Sequence, residues 1–370
     1  MDINTIRILS LDGGGERGYL SLKFLQQFIS LWGINPSALA SYFDVICGTS
    51  IGGIMSLAFA SGKAPSEIES FFTTTGPYIF TLGGNGLIPP VFYPTPGQRV
   101  NTLTSAEILG LIASDTPFYH SSGNYAADYG TGLLAATLQS FFGTNTLANL
   151  QTNVLIPSYQ TDTGTFVSFS NVNNSRFIGQ NELIKNVALA TSAAPLYLAS
   201  DTCPISFGEP QHQYSDGGVY LNNPALMGLA LGKMVKPNAN RYCVLSLGTG
   251  LVPGEGSYAY ELTQLIQKHV INNNSLSTVN PITILSNLIR EAGGGSEESV
   301  AETLLLTSQY TLDQLYYYRF QPIFNDIPTG EDTGLDNTSN VILNYYATKA
   351  SDWYTNDLAN IITFLGHLTA

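Results

Sequence analysis

One serine in the chain has neighbours suited to nucleophilic chemistry. Gly48-Thr49-Ser50-Ile51-Gly52 fits G-x-S-x-G, a tight strand-to-helix turn that lifts the serine hydroxyl above a sheet. The pattern alone is a common Gly/Ser turn. Its context, an apolar strand candidate before it and a small-residue helix after it, favours the chemical reading. A nucleophilic serine needs a base. The chain has four histidines, His120, His212, His269 and His367, and none stands in hydrolase-like surroundings. That shortage points to a carboxylate. Asp216-Gly217-Gly218 is the best candidate, because its glycines permit a tight turn and a close approach to another loop. Asp-Gly by itself is only a frequent turn dipeptide, and Ser50 is what gives it weight.

The reaction also needs donors for an oxyanion. Gly13-Gly14-Gly15 can offer backbone N–H groups at the start of a helix, where the helix end adds positive partial charge. By analogy with elbow hydrolases, the N–H of Ile51 is a further donor. Arg17, in the same turn, either meets a phosphate head group or braces the loop. The stretch Gly13 to Gly18 also satisfies G-x-G-x-x-G. A ribose-binding acid about 20 residues on is missing, however, which weakens a dinucleotide site. A Walker loop is excluded, since no Gly-Lys-Ser/Thr follows.

These residues need elements to hold them. Ile6 to Leu11 reads as a strand, Asp12 to Gly18 as a turn, and Tyr19 to Trp32 as a helix with one apolar face. Tyr42 to Cys47, Gly48 to Gly53 and Ile54 to Ala60 repeat the strand–turn–helix order, so the expectation is a mainly parallel sheet. Gly76 to Arg99 reads as a Gly/Pro-rich apolar loop, either a lid or an ordinary crossover. Strands are expected at Val154 to Tyr159, Thr165 to Phe169, Tyr242 to Leu247 and Tyr316 to Phe320. Helices are expected at Leu183 to Ala190, Ser299 to Ser308, Thr311 to Leu315 and Ala347 to Leu368. Gly293 to Glu298 reads as a break.

The 370 residues are 44% hydrophobic and only 11% charged, with a net charge of −13. That balance argues against nucleic acid and against general attraction to an anionic bilayer. A lipid would have to be met through a local apolar surface or a small basic spot. No secretory leader or spanning run is visible. Cys47, Cys203 and Cys243 form an odd set without metal-ligand spacing, which suits a reduced, cytoplasmic setting. Signal-independent secretion stays open.

Taken together, the motifs resemble the patatin-like phospholipases. The pattern D-G-G-G-x-[RK]-G, G-x-S-x-G, D-G-[GA] appears in order at Asp12 to Gly18, Gly48 to Gly52 and Asp216 to Gly218. Tyr42 to Ile46, Ala190 to Pro195, Asn222 to Ala225, Leu245 to Gly250 and Tyr318 to Gln321 are similar to the family as well. The resemblance implies an α/β three-layer fold: a central, mainly parallel sheet flanked by helices. It implies a core over residues 5–225, with 226–370 completing the same domain. It implies a Ser50–Asp216 dyad without histidine, acyl-lipid hydrolysis at a membrane surface, and no metal or cofactor for the chemistry. Two alternatives accompany it. The same chemistry is held inactive until a cyclic nucleotide or a host factor, a small-molecule or protein activator, binds, or the scaffold binds or stores lipid without catalysis.

Overall fold

The computed structural model describes residues 4–79, 131–194, 212–251, 300–301, 303–304, 314–331, 333–335 and 337–370. Most of the expected Gly/Pro-rich loop, the Gly293 to Glu298 break, His120, His269 and Cys203 lie outside these residues. Of the helix expected at Ser299 to Ser308, the four described residues (Val300, Ala301, Thr303 and Leu304) are helical.

All seven residues of β1 (Thr5–Leu11) are buried, as expected of a strand covered on both faces. The Gly-rich turn and one 3-10 turn, Gly15–Arg17, lead into α1 (Gly18–Trp32). That helix buries Leu20, Phe24, Leu25, Phe28 and Ile29 and ends on Gly33 in the left-handed conformation, φ 72°. Next comes a 3-10 segment, Pro36–Tyr42, whose entry is capped by the Asn35 side chain accepting from Ser37 N. Tyr42 therefore ends this segment and does not open a strand; β2 is shorter than expected, Val45–Gly48. α2 (Ile51–Ala60) starts at the elbow, and α3 (Pro65–Ser70) follows. Gly76–Tyr78 is one helical turn, so the expected loop begins as helix.

The remaining elements are α4 (Thr131–Phe142), β3 (Asn153–Gln160), β4 (Thr165–Phe169), α5 (Ile184–Ser192) and β5 (Tyr214–Asp216). After them come α6 (Ala225–Val235), β6 (Arg241–Leu247), β7 (Gln314–Phe320), α7 (Asn340–Asn356) and α8 (Leu358–Thr369). Two expectations are corrected here. Gln314 and Leu315, expected at the end of a helix, belong to β7, because they pair in parallel with Arg241 and Tyr242 of β6. The single helix expected over Ala347 to Leu368 is two helices. The break falls at Asp357, whose carboxylate accepts from Tyr318 Oη at 2.7 Å.

Hydrogen bonding orders the sheet β4-β3-β2-β1-β6-β7, with β5 beside β3. The pairs β1–β2, β1–β6, β2–β3 and β6–β7 are parallel; β3–β4 and β3–β5 are antiparallel. Strands from both halves of the chain thus build one mainly parallel sheet. Alternate residues face two cores. Leu9, Leu11, Ile46, Leu245 and Phe320 pack with α1, α2, α5, α7 and α8. Ile6, Ile8, Val45, Cys47 and Val244 pack with α6 on the other side. The result is the three-layer α/β arrangement, with helices on both faces.

One detail of this sheet matters most. β3 pairs with β2 only through Asn153, Val154 and Leu155. Beyond the end of β2 the same edge of β3 continues and is taken up by β5, with Ser158 opposite Asp216. A carboxylate is thereby delivered to the carboxyl end of β2, where the elbow begins.

Candidate active site

Ser50 stands between β2 and α2 with φ 56° and ψ −126°. Among the described residues no other non-glycine has positive φ. Such a backbone costs about 1–3 kcal/mol and persists only where its surroundings enforce it. Enforcement is visible here. Ser50 N donates to Thr191 Oγ1 at 3.1 Å, and Thr191 Oγ1 donates to Pro157 O at 2.6 Å, tying the elbow to α5 and β3. Gly52 lets α2 press onto β1: a Cβ there would sit 2.3 Å from Leu11 O.

Ser50 Oγ donates to Asp216 Oδ2 at 2.6 Å. The other carboxylate oxygen, Oδ1, accepts from Gly218 N at 2.6 Å, and Asp216 N donates to Ala193 O at 2.9 Å. Asp216 is only 5% exposed. Burial pushes its carboxyl up to about 7, and the hydrogen bonds from Ser50 and Gly218 hold it from rising further. A carboxylate poised there can act as a base near neutral pH.

The Gly-rich turn comes to the same point. Gly13 lies so close that a Cβ would meet Asn222 Oδ1 at 2.3 Å and Ser50 Cβ at 3.1 Å. Its N–H is directed at Asn222 O, 3.3 Å away, and so is turned toward the protein. For the N–H groups of Gly14, Gly15 and Ile51, no acceptor stands among the described residues. Arg17 is turned inward, 6% exposed, and donates to Gly250 O at 3.3 Å, a bond that ties the Gly-rich turn to the loop after β6. Thr249 Oγ1 adds a bond to Gly13 O at 2.9 Å. Beneath the turn Asp12, fully buried, pairs with Arg319 at 2.6 Å.

Neither described histidine reaches this site. His212 Nδ1 lies 2.7 Å from Asp162 Oδ2, beyond the far end of β5 from Asp216. His367 stacks on Tyr316 at 3.8 Å, near the amino ends of β6 and β7. Ser50 lies at the opposite, carboxyl end of the sheet, where ligands of open α/β sheets bind. Among the described residues no group of three His, Cys, Asp or Glu could hold a metal ion, and no helix is long and apolar enough to cross a membrane.

Thr191, Asn222, Thr249 and Arg319 received no role from the sequence, although each falls inside a segment that resembles the family. Their partners lie far along the chain. Arg319 meets Asp12 across 307 residues and Asn222 meets Gly13 across 209, so no local pattern announces the contacts.

The Gly-rich turn, the elbow and the carboxylate, in that chain order, meet at the carboxyl end of one α/β sheet. The patatin-like phospholipase family profile matches residues 9–229, and the chain belongs to that family. A cGAMP-activated phospholipase of Vibrio cholerae is 35% identical over 233 residues, 61% of this chain and 57% of that protein. The cGAMP-activated phospholipase of Escherichia coli is 32% identical over 62% of this chain and 56% of its own length. Patatin-like protein 2 of Arabidopsis thaliana is 30% identical over 67% of this chain and 60% of its own. The chain thus spans a little over half the length of the relatives it matches.

Proposed function

We propose that the chain is a lipid acyl hydrolase that cleaves fatty acyl esters through Ser50 and Asp216. The observation that carries this reading is the 2.6 Å hydrogen bond from a strained elbow serine to a buried carboxylate. The ester carbonyl oxygen lies against the N–H groups of Gly14, Gly15 and Ile51. Ser50 Oγ attacks the carbonyl carbon while its proton passes to Asp216. Collapse of the tetrahedral adduct breaks the C–O bond, and the departing alkoxide takes the proton from Asp216. An acyl-Ser50 ester remains. Water, deprotonated by the same Asp216, then releases the fatty acid and restores the hydroxyl. Each oxyanion donor is worth roughly 10²–10³ in turnover.

Membrane contact belongs to the same reading. Val219 and Tyr220, just after Asp216-Gly217-Gly218, are 37% and 58% exposed, and Tyr220 stacks on Phe166. A net charge of −13 gives no general pull toward anionic lipid, so this apolar rim is the contact. Val219→Ser with Tyr220→Ser is expected to lose co-sedimentation with phosphatidylcholine vesicles while keeping hydrolysis of a short, water-soluble ester. Equal loss of both, or of neither, defeats the contact.

The similarity to two cGAMP-activated phospholipases favours a second reading, in which a cyclic dinucleotide switches the same chemistry on. One experiment addresses both. Fatty-acid release from mixed phospholipid vesicles is measured for wild type and Ser50→Ala, with and without cGAMP, alongside fluorophosphonate labelling. Release and labelling are expected in wild type and not in the folded Ser50→Ala protein. Release by Ser50→Ala sinks the hydrolase reading, and equal release with and without cGAMP sinks the switch. Bound lipid with neither release nor labelling under any condition favours a binding or storage protein.

A further inference from the structure

Three loops converge on Ser50, and one side chain joins two of them. Asn222 Nδ2 donates to Gly13 O at 3.1 Å, while Gly13 N–H donates back to Asn222 O at 3.3 Å. The Gly-rich turn and the segment after Asp216 are therefore joined by a reciprocal pair of bonds. Asn222 Oδ1 reaches toward the carboxylate turn. A Cβ at Gly218 would lie 3.0 Å from Asn222 Oδ1 and 3.1 Å from Asp216 Oδ1, so amide and carboxylate flank one small gap. The third loop is tied in nearby, where Thr49 Oγ1 donates to Leu221 O at 2.8 Å.

We propose that Asn222 is a positioning residue: its side-chain amide locks the Gly13–Gly15 turn to the Asp216-Gly217-Gly218 turn, so that oxyanion donors and base keep one fixed spacing about Ser50. The physical case is geometric. An oxyanion hole works because its donors are already placed and need not reorganise as charge develops. The base must hold its spacing to the same serine, and small displacements cost rate steeply. β1 carries one group and β5 the other, and these strands are not neighbours in the sheet. No ladder hydrogen bond sets their separation. Asn222 supplies that link, with a neutral donor and acceptor in one planar group. A carboxylate of the same shape would lose the donor to Gly13 O and add a second negative charge beside Asp216.

This inference rests on the hydrolase reading, and its test separates the two. Hydrogen exchange of the segment 12–17 is followed by mass spectrometry in wild type, Asn222→Ala and Asn222→Asp, which needs no turnover. Faster exchange there, with the core strands unchanged, is expected in both variants. Kinetics on a soluble ester are expected to show kcat lowered about 10²-fold with KM within a factor of two, as for loss of one oxyanion contact. In Asn222→Asp the acidic limb of the pH–rate profile is expected to move to higher pH, because a like charge disfavours ionisation of Asp216. The lowered kcat at unchanged KM, with faster exchange confined to 12–17, is the readout that a merely structural role would not give. Unchanged exchange of 12–17, or an unmoved limb in a folded Asn222→Asp protein, overturns the proposal. An inactive wild type whose loop exchange still responds to Asn222 would instead count against hydrolysis and leave the lock standing.

Discussion

Asp216→Asn is expected to lower turnover about 10²–10⁴-fold, the usual range for a lost general base, while raising thermal stability at pH 8. Asparagine keeps the shape of the side chain, and its oxygen can still accept from Gly218 N, which lies 2.6 Å from Oδ1 in the native chain. What it cannot do is take the Ser50 proton. The wild-type profile of kcat/KM should therefore show an acidic limb near pH 7, where the buried carboxylate ionises, with activity rising as pH rises through it. The variant should keep only residual activity without that limb. Stability moves in the opposite sense. The folded carboxyl titrates at about 7, above its ordinary 3.8, so folding disfavours its ionised form. Each unit of such a shift corresponds to about 1.4 kcal/mol. The burden is full above pH 7, shrinks as the folded group takes up its proton, and is gone below about pH 4. The neutral amide of the Asp216→Asn variant would carry no such burden, so its gain in Tm should be large at pH 8 and vanish toward pH 4. Tm values at pH 8, 6 and 4 check this. A gain equal at every pH would mean that burial of Asp216 is not its cause.

The same geometry explains which parts of the site were legible in the sequence. Ser50 was, because the strand, turn and helix of the elbow are contiguous and carry their own pattern. Asp216 came forward through the shortage of histidines, the two glycines after it and its place in the ordered set of motifs. That it rides a strand was not visible: Tyr214–Asp216 is three residues long, too short for an alternating pattern, and it is strand only because β3 outruns β2 and offers an edge. The Gly13–Gly15 donors were visible as a set, but the turning of Gly13 N–H toward Asn222 depends on a loop 209 residues away. Leu315 carries the same lesson for the fold. An apolar residue in a short polar stretch suits helix or strand equally, and pairing with Tyr242 on β6 decides for strand. The helix break at Asp357 coincides with a bond from Tyr318 Oη, which the surrounding periodicity does not reveal. Local patterns thus gave the elements, whereas contacts across the sheet chose the partners.

Arg319→Met is expected to destabilise the fold by about 3–5 kcal/mol, the usual cost of removing one partner from a buried ion pair. Asp12 is completely buried and meets Arg319 Nη2 at 2.6 Å, while Nη1 of the same guanidinium donates to Ser246 Oγ at 2.9 Å. Burial lifts the Asp12 carboxyl to about 6, and Arg319 and then Arg17 hold it from going higher. Without Arg319 it should rise further, since the largest opposing influence is gone. The loss should therefore be greatest at pH 8, where Asp12 must ionise without its partner, and smaller at pH 5, where the folded protein holds it protonated. Urea unfolding at the two pH values reads this difference. The double variant Asp12→Asn with Arg319→Met should recover much of the loss at pH 8, because no buried charge is then left alone; strict additivity of the two changes would refute the pairing argument. The placement of the pair explains why a costly buried charge is retained. Ser10 of β1, Ser246 of β6 and Arg319 of β7 stand in one register across three strands. Arg319 thus reaches over β6 to the first residue of the Gly-rich turn. The backbone bond from Asp12 N to Leu247 O, 2.9 Å, holds the main chain where the turn departs from β1, and Arg319 fixes the side chain of the same residue. A well-packed apolar pair would fill the space, but it would not fix the direction in which Asp12 hands the chain on to Gly13.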